Sequence, residues 1–331
     1  MQKFIRGSKI AGSGHYCPDD VLTNRDLEQI VDTSDEWILT RTGIRERRIV
    51  RPDQAASDLA VAAARDALDS AEIPAGKLDG IIVGTISGDQ PFPATACFIQ
   101  DRLGAPEAVA FDLCAACSGF IYGLNTAHAL IASGQLNTVL VVGVEILSKF
   151  VDWEERSTCV LFGDGAGAVV LEACEAGEGI LGTYMKSDGS LAELLYIEAG
   201  GSKEPASAAS VAAKKHFIRM KGDGVFKYAV RAMEDASKHV LEQAKLTVDD
   251  IDILIPHQAN LRIIDSVYKR LRVPEEKVVV NLDRLGNTSA GSIPIAFDEV
   301  ARSGRLKKGD IVLLVTFGGG LTWGSVLLRY S

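Results

Sequence analysis

The sequence predicts an α/β chain made of two related halves, and three observations carry that reading. The segment AEIPAGKLDGIIVG from Ala71 has a counterpart in AKLTVDDIDILIPH from Ala244, each reading helix end, turn, acidic residue and buried strand. DRLGAPEAVAFDL from Asp101 resembles KRLRVPEEKVVVNL from Lys269, and SGQLNTVLVVG from Ser133 resembles SGRLKKGDIVLLV from Ser303, so the offset stays at about 170 residues. Short apolar runs at 81–83, 139–142, 253–255 and 311–315 alternate with helical patterns. That order implies parallel crossovers and sheets covered by helices.

Each half is expected to run strand, helix, strand, helix, strand. In the first half, 60–71 is an Ala-rich amphipathic helix ahead of the strand at 81–83. The Glu/Gly-rich stretch 173–179 divides the chain into an N-terminal half, 1–175, and a C-terminal half, 176–331. From Gly200, GGSKEPASAASVAAKK is small and polar and reads as a surface excursion. Strong helix formers fill 228–244, a helix begins around Leu261, and 290–303 is a helix that stops before Gly304.

With 331 residues and 47% hydrophobic content the chain can bury a substantial core. A net charge of −9 and a pI near 5.2 argue against a whole-protein attraction to nucleic acid or to an anionic membrane. The N-terminal MQKFIRGSKIAGSGHYCP has no sustained apolar core, and no run of about 18 uncharged apolar residues follows, so a soluble, cytoplasmic protein is expected. Six scattered cysteines in so long a chain favour reduced thiols over a disulfide framework.

In a duplicated α/β chain, chemistry is expected where strand ends meet helix starts. AVAFDLCAACSGFIYGLNTAHAL passes from an apolar strand through Ala-Ala-Cys117-Ser-Gly into an amphipathic helix. Cys117 therefore falls near a helix N-terminus, where free N–H groups and the macrodipole favour thiolate and lower the thiol below its usual value of about 8.5. Out of context it would be a small buried hydrophobe. The Cys114–Cys117 spacing also admits a dithiol or half a zinc site, but no second ligand pair follows, and no metal is expected.

In the second half, IDILIPHQAN places His257 just beyond a buried strand, as a donor or base beside the thiol. NLDRLGNTSAGS occupies the position equivalent to the cysteine turn and puts Asn287 at another helix start, where alone it would be an N-cap. Gly318, Gly319 and Gly320 follow the last buried strand; consecutive glycines suit an oxyanion hole, and equally a tight turn. FGDGAGAVVL has neither the spacing nor the lysine of a phosphate loop and reads as a turn into a strand.

These motifs in this order, together with VDTSDEWILTRTGIRERR near the N-terminus, resemble β-ketoacyl-acyl-carrier-protein synthase III over essentially the whole chain. The resemblance implies a thiolase fold of five αβαβα layers, a homodimer, and initiation of type II fatty-acid synthesis. It implies that Cys117 is acylated by acetyl-CoA or a similar short acyl-CoA, used as substrate with no permanently bound cofactor. His257 and Asn287 would hold the malonyl thioester carbonyl, and the N–H groups of Cys117 and Gly319 would form the oxyanion hole. Trp37, Arg41 and Arg156 match CoA-binding positions, and Phe92 matches a residue that crosses the dimer interface to bound the acyl pocket; read alone, Phe92 would be core.

Arg262, Lys269, Arg270 and Arg272 concentrate on one helix without a balancing Glu, in an acidic protein. With Lys227 they match the docking surface for malonyl-loaded acyl carrier protein, where a basic patch would steer an acidic partner. The alternatives are a related condensing enzyme of secondary metabolism, a Cys/His/Asn thioester hydrolase, and a silent carrier-binding homologue.

Overall fold

The computed structural model describes residues 6–331. Two sheets form its frame. In the N-terminal sheet the strands lie in the order Gly7–Tyr16, Asp164–Cys174, Thr138–Ile146, Gly80–Gly84 and Val109–Leu113. The last three are mutually parallel and the first two run antiparallel to their neighbours. In the C-terminal sheet the order is Ile253–Pro256, Ile311–Gly318, Thr322–Arg329 and Ile180–Ser187, with only the first pair parallel.

Strand alternation makes each sheet two-faced. Val139 and Val141 look toward the middle of the molecule, whereas Leu140, Val142 and Val144 look outward; Val312 and Leu314 look inward, and Leu313 and Val315 outward. Side chains two apart share a face, so uniformly apolar strands must be covered on both sides. Helices Gly119–Ala132 and Ser292–Arg302 fill the middle, through Phe120, Leu124, Ile293 and Phe297. Helices Ala56–Ala71 and Thr95–Leu103 cover the N-terminal sheet. Gly222–Ala244 and Leu261–Leu271 cover the C-terminal one. The result is the expected five-layered αβαβα thiolase fold of two duplicated halves.

One expected strand does not form. Following the repeat, residues around 278–282 should pair with Ile253–Pro256, but only an isolated bridge between Leu254 and Val278 is present. The buried Gln258 amide takes the place of the ladder: Nε2 donates to the carbonyls of Pro256 (2.7 Å) and Val279 (3.1 Å), and Oε1 accepts from Asn281 N–H (3.0 Å). A side chain wedged between two segments satisfies their backbone groups and ends their direct pairing.

The polar excursion is more than surface. Its flanks, Leu195–Ile197 and Ile218–Met220, pair as a small sheet that lines a cavity beside Cys117, while the tip near Gly200 is exposed. Among the described residues no helix is long and apolar enough to cross a membrane. The reading of the first five residues as lacking a leader lies outside the described residues.

The central helices sit unusually close to the sheets. A Cβ at Gly143 would lie 2.1 Å from the carbonyl oxygen of Ala290, a backbone atom that cannot swing away. Gly143→Ala should therefore lower stability by about 1–3 kcal/mol in chemical denaturation, whereas Gly76→Ala, with nothing near the new methyl, should be neutral. Equal stability of the two variants would refute this account of the packing.

Candidate active site

The strand Val109–Leu113 ends just before Ala116, whose φ of 47° is left-handed and turns the chain sharply into the 3-10 turn Ala116–Ser118 and the central helix. The other half repeats the device. Ser289, at φ 48°, precedes the helix Ser292–Arg302. Strands of the C-terminal sheet hold the first turn: Thr316 Oγ1 donates to Cys117 O (3.0 Å) and Thr322 Oγ1 to Ala115 O (2.9 Å). Only glycine fits at 318, because a Cβ there would stand 2.8 Å from the Cys117 nitrogen.

Cys117 is buried, with 8% of its surface exposed. Burial pushes its thiol up to about 11; the Ser289 hydroxyl and its own N–H oppose that shift, and Glu145 adds to it. The expected lowering is thus corrected: a helix terminus carries only about half a charge, too little to offset complete desolvation of a thiolate. The resting side chain is a thiol.

His257 and Asn287 line the same cavity as Cys117, about 410 Å³ in volume. His257 Nδ1 lies 2.7 Å from Ser292 Oγ, which also accepts from Gln258 N–H at 3.4 Å. That hydrogen bond at Nδ1 holds the ring in place and leaves Nε2 as its other polar atom. Burial pushes the imidazole down to about 3, so it stays neutral. Asn287 Oδ1 accepts from Ser289 N–H (2.8 Å), which only the oxygen can do, and Nδ2 is left as a donor. The site thus brings a neutral imidazole and an amide donor into one cavity with a thiol.

Three participants escaped the sequence reading. Ser292 orients His257; the Ser289 hydroxyl lies 3.4 Å from Cys117 Sγ and 3.2 Å from Glu145 Oε1. Glu145 is fully buried, and burial pushes its carboxyl up to about 7 against hydrogen bonds from Ser87, Ile86, Ser289 and Thr85. A lone acid inside the apolar run VLVVGVEIL was the available signal.

At the cavity mouth, Trp37 and Arg41 lie on one face of the helix Asp35–Thr42. The Arg41 and Arg156 guanidiniums lie over the Trp37 ring at 4.8 and 4.6 Å. Asn260 caps the helix Leu261–Leu271 and its Nδ2 donates to Arg41 O, tying the two entrance helices together. Gly319 lines a second, largely apolar cavity of about 360 Å³ that also contains Cys117 and Ser289.

Two expectations change. Phe92 is not core: it is 85% exposed and lines neither cavity of its own chain, because its loop projects from the surface. The basic helix is not unbalanced: Lys269 pairs with Asp265 (3.4 Å), and Arg270 with Glu234 of the neighbouring helix (2.5 Å). Among the described residues Lys227 and Arg262 form no ion pair, and Arg262 lies over Phe226 at the cavity mouth.

The chain matches the models for 3-oxoacyl-[acyl-carrier-protein] synthase III over residues 111–189 and for its C-terminal part over 241–330. It is 54% identical to the β-ketoacyl-[acyl-carrier-protein] synthase III of Caldanaerobacter subterraneus, with 97% of each chain covered. The enzyme of that name from Symbiobacterium thermophilum is also 54% identical, over 99% of both chains. The crystal structure of 3-oxoacyl-[acyl-carrier-protein] synthase III from Aquifex aeolicus superposes with a TM-score of 0.91 at 51% identity, over 98% of this chain and 100% of that one.

Ring-nitrogen NMR of His257 should show a neutral imidazole from about pH 5 to 9, and Ser292→Ala should change its tautomer balance. A titration of the wild-type ring near pH 6.5 would contradict this geometry.

Proposed function

Because this chain belongs to the 3-oxoacyl-[acyl-carrier-protein] synthase III family, we propose that it condenses a short acyl-CoA primer, such as acetyl-CoA, with malonyl-acyl carrier protein, releasing carbon dioxide and starting type II fatty-acid synthesis. The observation that carries this reading is the convergence of Cys117, His257 and Asn287 on one cavity that reaches from exposed Arg41 down to buried sulfur.

Trp37, Arg41 and Arg156 hold the nucleotide end of acyl-CoA at the mouth, and the thioester reaches Cys117. Sulfur attacks the acyl carbon, the backbone N–H groups of Cys117 and Gly319 take the developing oxyanion, and CoA leaves. The malonyl thioester then occupies the same cavity. His257 Nε2–H and Asn287 Nδ2–H donate to its carbonyl oxygen, so that when carbon dioxide departs the electron pair is held as an enolate. That carbanion equivalent attacks the acyl-Cys117 carbonyl and expels the sulfur. Neutral donors suit this step: they stabilise charge that appears only in the transition state and need no counter-ion in a dry pocket.

Acyl-CoA is a substrate, and no resident cofactor takes part. The apolar cavity beside Cys117 receives the primer chain. An exposed Phe92 fits a homodimer in which a second copy brings that ring to the cavity. The unpaired cations Lys227 and Arg262 meet the acidic carrier protein. Work with a carrier-bound substrate suits a cytoplasmic enzyme.

Incubated with short acyl-CoAs alone, the protein should gain one acyl mass, mapping to Cys117, and Cys117→Ala should gain none. Rapid release of free acid would indicate a hydrolase, and no adduct a silent homologue. His257→Ala and Asn287→Ala should still acylate but lose about 100-fold or more in condensation. For docking, Lys227→Glu should raise the KM for malonyl carrier about tenfold at low salt and less at high salt; an unchanged KM at low salt would remove Lys227 from the docking surface.

A further inference from the structure

The acyl-transfer reading leaves one proton without a destination. Cys117 rests as a thiol, burial pushes the His257 imidazole down to about 3, and the side chain that stands against the Cys117 sulfur is the Ser289 hydroxyl, 3.4 Å away. An imidazole held that low by burial is a weak acceptor for the proton.

A second group within reach can take it. We propose that Glu145 is the proton store of the catalytic cycle, receiving the Cys117 thiol proton through the Ser289 hydroxyl and returning it when the condensed product leaves, an inference that rests on the acyl-transfer reading of the site.

The geometry distinguishes this role from a structural one. Glu145 Oε2 is used by the local fold: it accepts from Thr85 Oγ1, from the N–H groups of Ile86 and Ser87, and from Ser87 Oγ at 2.5 Å. Those bonds pin the turn after Gly80–Gly84. Oε1 faces the other way, toward Ser289 Oγ at 3.2 Å, and shares only a longer Ile86 N–H bond at 3.3 Å. Ser289 has one proton to give. When it donates to Oε1, its lone pairs face the Cys117 thiol 3.4 Å away, and the chain S–H, O–H, carboxylate runs in one direction. No cation neutralises the carboxylate: among the described residues no lysine, arginine or histidine bonds to it, and the titratable groups that feel its charge are Cys114 and Cys117. A fully buried, unpaired carboxylate is costly for a part whose only task is to pin a turn. Burial brings Glu145 to about 7, so both of its forms are accessible near neutrality.

The protons balance. As Cys117 sulfur bonds to the acyl carbon and the carbon–sulfur bond to CoA breaks, the thiol proton passes to Ser289 oxygen while the Ser289 proton passes to Glu145. CoA thiolate takes its proton from water outside. In the second half, malonyl loses carbon dioxide, the enolate carbon bonds to the acyl carbon, and Cys117 thiolate is expelled. Glu145 then returns its proton through Ser289, restoring thiol and carboxylate. One proton is consumed per turnover, as the overall reaction requires. Ser289 touches the reacting sulfur and is catalytic; Glu145 acts through it as a positioning and storage group.

The test is single-turnover acyl transfer from acetyl-CoA to Cys117, followed by rapid quench and mass analysis across the pH range, for wild type, Glu145→Gln, Glu145→Asp and Ser289→Ala. The wild-type rate should rise through an inflection near the Glu145 value of about 7. Glu145→Gln and Ser289→Ala should slow transfer about 100-fold at neutral pH and lose that inflection, and Glu145→Asp should keep it. An electrostatic neighbour predicts the opposite sign: removing the negative charge lowers the thiol and speeds transfer. Rates in Glu145→Gln and Ser289→Ala equal to or above wild type, with the inflection retained, would overturn the relay. Should Glu145→Gln fail to fold, Ser289→Ala alone decides, since Ala116 shows that alanine adopts the same left-handed backbone. A wild type that takes no acyl group would refute the acyl-transfer reading itself, a distinct outcome.

Discussion

Everything at this site depends on two left-handed turns being pressed together in the middle of the molecule. Ala116 and Ser289 each reverse the chain at the head of a central helix, one in each half. Because the helices are sandwiched between the sheets, the turns meet, and Ser289 comes within hydrogen-bond distance of Cys117 although 172 residues separate them. Glycine at 143 and 318 permits the approach, since a methyl at either would strike backbone. Packing at that density leaves little freedom to relax, which is how two turns fix reacting atoms.

Dryness then sets the chemistry. With no cation in contact, burial is the largest cause that moves each titratable group toward its uncharged form: the Cys117 thiol upward, the His257 imidazole downward, the Glu145 carboxyl upward. Groups that would be unremarkable in water become a neutral thiol, a neutral imidazole and a carboxyl poised near neutrality. The hydrogen bonds around them decide direction. Ser292 holds the histidine ring through Nδ1, and the Ser289 N–H holds the asparagine oxygen and leaves the amide nitrogen as a donor. In such surroundings orientation matters more than charge.

The entrance has the opposite character. Trp37 under two guanidiniums, and the unpaired Lys227 and Arg262, stand at an exposed rim on an otherwise acidic protein. Charge at that rim is screened by solvent and weakened by salt, while the interior stays insulated.

Local pattern determined a large part of this protein. The repeat, the apolar strand runs and the helix formers specified a duplicated α/β architecture, and the strand-to-helix position of Cys117 and the strand-end position of His257 marked them as reactive. Those features are set by neighbours in the chain, so they can be read along it. Other features belong to the tertiary structure alone. Gln258 replaced an expected strand because its amide found backbone partners in two segments. Lys269 and Arg270 were balanced by Asp265 and by Glu234, the latter on another helix. The thiol rose where helix position alone suggested a fall, because desolvation depends on every element that surrounds a group. Ser289, Ser292 and Glu145 came to line the site only when folding set each beside a residue far away in sequence; hydrogen bonds and burial are properties of distance in space, and a linear pattern does not contain them.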